Sequence, residues 1–273
     1  LDIPGQTLRS TIDLELQLYA EKLMSNKAGS VVAIEPSSGE ILAFVSAPTY
    51  DPADLSGRHF SENFEKISSD TNKPLFIRPI MAAYRPGSIF KIAQALIAMQ
   101  EGLISANTKL KCNTALIGCH NALSHPFGTS ENLIGAIKNS CNPYFYQVMR
   151  QMVQQGVEED PYKDSHVGLD KWRGYIDRFG FGGPLGIDLP GENSGMIPNS
   201  AYYDRAYGGR PWKYSNIYSL AIGEGENLVV PLQMANFAAT VANRGYFYTP
   251  HLIKGIGDSN EALAKYRLEH NTG

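Results

Sequence analysis

The run Tyr84–Gln100, YRPGSIFKIAQALIAMQ, decides how this chain is read. After the Pro86-Gly87 turn nearly every side chain is apolar: Ile89, Phe90, Ile92, Ala93, Ala95, Leu96, Ile97, Ala98 and Met99. A helix that is hydrophobic all round belongs inside a domain. This one nevertheless carries Lys91, three residues after Ser88. Residues at i and i+3 share a helix face. The first helical turn has free N–H groups and the positive end of the dipole, which favour negative charge developing on Ser88. An amine held among apolar side chains is costly to charge, and a neutral amine beside a hydroxyl can activate it as a nucleophile. The plainer alternative has Lys91 reaching to the surface and Ser88 merely capping the helix. Alone, S-x-x-K is weak, arising by chance about once in a few hundred residues.

The rest of the chain sets the frame. Its 273 residues are 43% hydrophobic and 19% charged, a globular composition with room for a sizeable core. The formal net charge is -3 and no Lys/Arg-rich run exists, so nucleic acid is not an expected partner. No apolar stretch reaches the roughly 18 residues needed to cross a bilayer. The chain opens with Leu1 rather than Met, and the expectation is that a signal or anchor segment once preceded it.

Outward from the central helix, STIDLELQLYAEKLMSN predicts a helix capped by Thr11 or Asp13, with Leu14 and Leu18 on a buried stripe. GSVVAIEPSSGEILAFVSAP predicts a β-hairpin around Pro36-Ser37-Ser38-Gly39. The polar run TYDPADLSGRHFSENFEKISSDTNKP reads as loop. NLIGAIKNS and YFYQVMRQMV read as helices, and FGFGGPLGIDLPGENSGMIPNS as a long ordered loop. PLQMANFAATVANRG is helical, with Leu232, Ala235, Ala239 and Val241 spaced for burial, and YFYTPHLIKGIG reads as a strand. Helix, hairpin, helices and strands in that order make an α+β protein, not a βαβ alternation.

A serine acyl-transfer site built on S-x-x-K needs an S-x-N and a K-T-G partner. S-x-N occurs at Ser61, Ser130 and Ser140. Ser61 precedes the nucleophile, and Ser130 lies in a loop before a helix. Ser140-Cys141-Asn142 falls between two predicted helices, where a short turn can aim Ser140 and Asn142 into a cleft. RPGSIFK and NSCNPYFY, together with AGSVVAIEPSSGEILAFVSAPTYDP, GIDLPGE and IGEGENLVVPLQMANFAATVANRGYFYTPHLI, resemble the class B penicillin-binding proteins. The resemblance runs along nearly the whole chain in the family's order, with the elongation-type penicillin-binding protein 2 as the nearest kind.

That resemblance implies a penicillin-binding protein/β-lactamase-like transpeptidase fold, an antiparallel sheet flanked by helical clusters, over residues 1–273. It implies a peptidoglycan D,D-transpeptidase acting on D-Ala-D-Ala stem peptides and acylated by β-lactams, without a cofactor for catalysis. Ser88 would be the acylated nucleophile and Lys91 its base. Ser140 would relay protons to the leaving amine, Asn142 would bind the substrate amide, and the Ser88 N–H would form part of the oxyanion hole. The implied location is the periplasmic face of the inner membrane, beside a glycosyltransferase of the elongation machinery, with the anchor and pedestal outside this chain. One departure is that no lysine-threonine/serine-glycine motif occurs; HNTG at His270–Gly273 has Asn271 at the cationic position. The expectation is that the strand bearing that motif is missing, which puts the activity of this stretch alone in doubt. A second is Glu224 in IGEGE, where relatives often carry glutamine; it reads as a solvated charge.

Cys112, Cys119, His120, His125 and Cys141 fall close together in sequence. Three thiols and an imidazole suit a structural Cys₃His zinc site, with Cys112, Cys119, His125 and Cys141 the preferred set. The middle residue of the S-x-N turn would point away from the cleft, leaving Cys141 available behind it. A Cys112–Cys119 disulfide with Cys141 simply buried is the alternative, and neither is a third.

Two rival functions remain open. A β-lactamase of class A needs a glutamate in an E-x-x-N context, and Glu224–Asn227 stands too far along the chain. A catalytically retired relative that senses β-lactam or scaffolds partners is kept open by the absent third motif.

Overall fold

The structure, a computed structural model, describes residues 5–112 and 130–273. In chain order the first elements are β1 (Leu8–Ser10), α1 (Leu14–Leu23), β2 (Gly29–Ile34) and β3 (Ile41–Ala47). Next come α2 (Phe60–Ser69), α3 (Arg78–Met81), a 3-10 turn at Gly87–Phe90 and α4 (Lys91–Gln100). They are followed by β4 (Leu110–Lys111), β5 (Ser130–Glu131), α5 (Leu133–Lys138), α6 (Asn142–Val153) and α7 (Pro161–Arg178). The chain continues through α8 (Ser200–Ala206), α9 (Tyr214–Ile217) and α10 (Pro231–Ala242) to β6 (Tyr246–Tyr248), β7 (Ile253–Ile256) and β8 (Glu269–Asn271). Two compact units divide these elements: Leu1–Tyr84 with Arg178–Gly195 and Val229–Gly273, and Arg85–Asp177 with Met196–Leu228. Small antiparallel sheets and many helices bear out the α+β expectation.

In the first unit the predicted hairpin forms, with Val31 opposite Val45 and Ala33 opposite Ala43. Gly39 closes its turn at φ +78°, and a Cβ there would lie 2.9 Å from the backbone oxygens of Tyr248 and Thr249. Ile41, Ile80, Ile187, Val230 and Leu232 form a core in this unit. Asp13 caps α1 by accepting the Leu16 N–H. The buried stripe predicted for α1 is not seen: Leu14 is 68% and Leu18 56% exposed. The helix rests instead on its Ala20 side, where the Gln17 amide bonds both the N–H and the carbonyl of Phe44 on β3.

Other expectations are corrected too. The polar run after Tyr50 is not all loop, since it contains α2. The single strand expected over YFYTPHLIKGIG is two, β6 and β7, split around Pro250, which has no N–H for a ladder. On α10, Leu232 and Ala239 are buried as expected, but Val241 is exposed. The glycine- and proline-rich stretch before Asn199 is an ordered loop, as read. The Glu192 carboxylate accepts N–H groups of Leu185, Gly186 and Ile187, and Asp188 accepts those of Leu252 and Ile253.

In the second unit α4, α5 and α6 share a core that includes Ala95, Ala98, Leu133, Ala136, Tyr144 and Phe145. The helix from Ser88 is not buried all round. Ala93, Ala95, Ile97 and Ala98 are buried, whereas Ile89, Ile92, Leu96 and Met99 form an exposed stripe. The 18-residue α7 went unpredicted because its charges dilute a narrow apolar face of Leu169, Trp172 and Ile176. No helix among the described residues is long and apolar enough to cross a membrane.

Candidate active site

Ser88 stands in the 3-10 turn and Lys91 opens α4. In a 3-10 turn i and i+3 eclipse one another, so the two side chains converge more closely than on an α-helix. Lys91 is 2% exposed, and its Nζ lies within hydrogen-bond distance of Ser88 Oγ, at 3.2 Å. The same nitrogen is also within hydrogen-bond distance of Ser140 O at 2.9 Å, Ser140 Oγ at 2.9 Å and Asn142 Oδ1 at 2.5 Å, more partners than its own hydrogens can serve at once. Ser140 Oγ in turn donates to Ser88 Oγ at 2.9 Å. Ser88, Lys91 and Ser140 thus close one hydrogen-bonded ring, and Asn142, 54 positions beyond Ser88, joins it through Lys91, all within the second unit. Lys91 Nζ also lies 5.7 Å from the Phe145 ring centroid.

Local sequence explains the placement. The α5 helix ends at Lys138, and Ser140 takes a left-handed backbone, φ +51°. Its N–H bonds Ile137 O, and the Cys141 N–H bonds Ala136 O, locking the turn. Pro143 then starts α6 in the first helical turn, where its missing N–H costs nothing. Ser140 and Asn142 therefore reach Lys91, while Cys141 between them is fully buried in the core.

The turn carrying Ser88 is braced by contacts from the segment around Gly223. Gly87 N–H bonds Gly223 O at 2.9 Å, and Arg85 Nε bonds Gly225 O at 2.9 Å. Gly223 adopts φ +72°, and a Cβ on it would lie 2.3 Å from Gly87 O. The signal was present in the closely spaced glycines of IGEGE. Glu224 beside it is half-buried rather than fully solvated. Behind α4, Gln94 accepts the Trp172 indole N–H at 2.7 Å and donates to Leu220 O at 3.0 Å. The polar residue that interrupts the apolar run is thus the tie holding the helix.

The metal expectation needs correction. Cys112 and Cys141 are joined by a disulfide, so neither sulfur is the thiolate that a zinc ion requires. Cys112 pairs with Cys141 rather than with Cys119. Cys119 and His125 lie outside the described residues. The donor set Cys112, Cys119, His125 and Cys141 does not fit zinc in this oxidised form. The remaining histidines vary in setting: His251 is buried and stacked on Tyr266, and His166 packs on Trp212.

Residues 29–271 match the family described as the penicillin-binding protein transpeptidase domain. The peptidoglycan D,D-transpeptidase MrdA of Haemophilus influenzae is 32% identical over 262 residues, covering 93% of this chain and 37% of that protein. The solved structure of Pseudomonas aeruginosa PBP2 in complex with WCK 5153 superposes with TM-score 0.79 at 28% identity, covering 98% of this chain and 58% of that one. The ceftriaxone acyl-enzyme complex of penicillin-binding protein A from M. tuberculosis gives TM-score 0.72 at 25% identity, with coverages of 99% and 58%. The chain therefore spans well under two thirds of the length of these relatives.

Proposed function

Because this chain belongs to the penicillin-binding protein transpeptidase domain family, we propose that it carries the acyl-transfer site of a peptidoglycan D,D-transpeptidase, with Ser88 as nucleophile. The observation that carries the reading is the ring of Ser88, Lys91 and Ser140, with Asn142 bonded to Lys91, held by contacts of 2.5–3.2 Å.

In this reading Lys91 takes the Ser88 proton as Oγ attacks the carbonyl between the two D-alanines of a stem peptide. The Ser88 N–H, at the start of a helical turn, faces negative charge on the carbonyl oxygen. Ser140, bonded to both Ser88 Oγ and Lys91 Nζ, passes the proton to the leaving D-alanine amine. Asn142 keeps a side-chain amide N–H₂ free to bind substrate while its oxygen holds Lys91. An amine from a neighbouring stem then resolves the acyl-enzyme. No step calls for a cofactor. The family relationship also supports β-lactams as acylating inhibitors, a periplasmic setting and an elongation-complex glycosyltransferase as partner.

The test is the intact denatured mass after incubation with benzylpenicillin, in the wild type and in Ser88→Ala. A persistent drug-sized adduct in the wild type and none in the variant is the expected result. An adduct on Ser88→Ala, or none on either, would remove Ser88 as the nucleophile.

A further inference from the structure

A cavity of about 600 Å³ opens in the second unit, lined in part by Tyr146, Arg150, Glu158, Glu159, Lys213 and Tyr214. Its position follows from α6. Asn142, Tyr146 and Arg150 are spaced i, i+4 and i+8, so the stripe that presents Asn142 to Lys91 continues toward the cavity. At 1.5 Å rise per residue, Arg150 lies about 12 Å along the helix from Asn142. An extended peptide covers that distance in about four residues, at roughly 3.4 Å each.

The pocket is built rather than incidental. The buried Asp164 carboxylate accepts the N–H groups of Gly156, Val157 and Glu158, which shapes its rim. Tyr214, also buried, donates its hydroxyl to Tyr146 O. The cations, by contrast, are uncommitted. Among the described residues Arg150 and Lys213 make no ion pair, and Lys213 Nζ sits only over the Tyr162 ring, 5.3 Å from its centroid. Two such cations beside the carboxylates of Glu158 and Glu159 suit a ligand bearing both charges. A plain polyanion would meet repulsion there.

We propose that this pocket binds the acyl-accepting peptide, holding its carboxylate at Arg150 and Lys213 while its amine reaches the acyl carbon on Ser88. The inference rests on the acyl-transfer reading above. In the step it serves, the amine nitrogen bonds the acyl carbon and the bond from that carbon to Ser88 Oγ breaks. One amine proton passes through the Ser140–Lys91 pair to Ser88 Oγ, so a free serine and a new amide result with no change of oxidation state.

The experiment forms the acyl-enzyme from a D-Ala-D-Ala peptide and offers two tetrapeptide acceptors. Each has one free amine, and they differ only in a C-terminal carboxylate or carboxamide. Products of aminolysis and hydrolysis are counted by mass spectrometry. The wild type is expected to favour the carboxylate acceptor about tenfold, the scale of one charge-assisted hydrogen bond. Arg150→Glu and the double variant Arg150→Ala/Lys213→Ala are expected to lose that preference through KM for the acceptor, comparing only protein already acylated. An acyl-enzyme that shows no preference in the wild type, or a preference that survives both variants, overturns the pocket alone. Absence of any acyl-enzyme overturns the acyl-transfer reading, and the pocket with it.

Discussion

Ser140 donates its hydroxyl hydrogen to Ser88 Oγ at 2.9 Å, across 52 positions of chain. Ser88 Oγ is therefore in contact with two groups able to carry a proton, Lys91 Nζ at one side and Ser140 Oγ at the other. Removing either leaves a connected but shorter path, so the two are not equivalent to a single base. Ser140→Ala keeps the Lys91–Ser88 bond and the backbone contact from Lys91 to Ser140 O. General acid–base groups contribute roughly 10²–10⁴-fold. Ser140→Ala is expected to slow acylation by benzylpenicillin at least ~100-fold, followed as adduct mass against time. A fall of less than ~3-fold would deny Ser140 a part in proton transfer.

Gly223 is predicted to be the most sensitive position outside the ring. An added Cβ meets Gly87 O at 2.3 Å and Phe90 Cβ at 2.8 Å, and the backbone there is left-handed. Backbone in such a region costs about 1–3 kcal/mol for a side chain, before the clash is counted. Gly223→Ala should lower the thermal midpoint by several degrees and slow acylation as well, because the turn carrying Ser88 must shift. Normal melting with normal acylation would mean the loop simply moves aside.

Much of this arrangement was legible in the sequence, for a definite reason. Ser88 and Lys91 stand out as S-x-x-K after the Pro86-Gly87 turn, whereas S-x-N occurs three times and it is the family resemblance of NSCNPYFY that singles out Ser140 and Asn142. The exposed stripe of Ile89, Ile92, Leu96 and Met99 was not legible, since an all-apolar run carries no sign of which face finds a partner. Neither was the exposure of Leu14 and Leu18, which follows from the polar seat that Gln17 makes on β3. The Cys112–Cys141 pairing was likewise open, because three cysteines permit three pairings and spacing does not choose among them. The role of Gly223 depends on a contact over more than a hundred residues, beyond any local window.

His166 gives a pH signature away from the ring. Its Nδ1 faces Tyr162 O and its Nε2 faces the Asp204 carboxylate, both at 2.7 Å, so only the doubly protonated ring satisfies both acceptors. Burial opposes the charge, but the bonds to Tyr162 and Asp204 outweigh it and hold the His166 pKa above its usual value. A raised folded pKa gives stability that is complete below about pH 6.5, the unfolded value. That stability is lost as pH climbs through the folded value. The difference in urea midpoint between wild type and His166→Gln should shrink from pH 6 to pH 9. Growth of that difference with pH would reverse the sign and refute the assignment.

The cysteine pairing has a direct chemical test. Denaturing the protein with iodoacetamide and no reductant should add one carbamidomethyl group, and three after reduction, since one of three cysteines lies outside the Cys112–Cys141 bond. Three additions without reductant would mean free or metal-bound thiols instead. Reduction should also weaken the fold, a native disulfide contributing typically about 2–4 kcal/mol.

The left-handed backbone at Ser140, φ +51°, carries a wider implication. Glycine occupies that region without steric cost, whereas other residues are held there at a cost of order 1 kcal/mol or more. A hydroxyl at this point of the turn is therefore kept against the preference of the chain. Ser140→Gly would make the protein sturdier while removing the hydroxyl that contacts Ser88 and Lys91. A laboratory selection for heat resistance alone would drift toward that glycine, and only a screen that also demands acylation by benzylpenicillin would hold the serine in place.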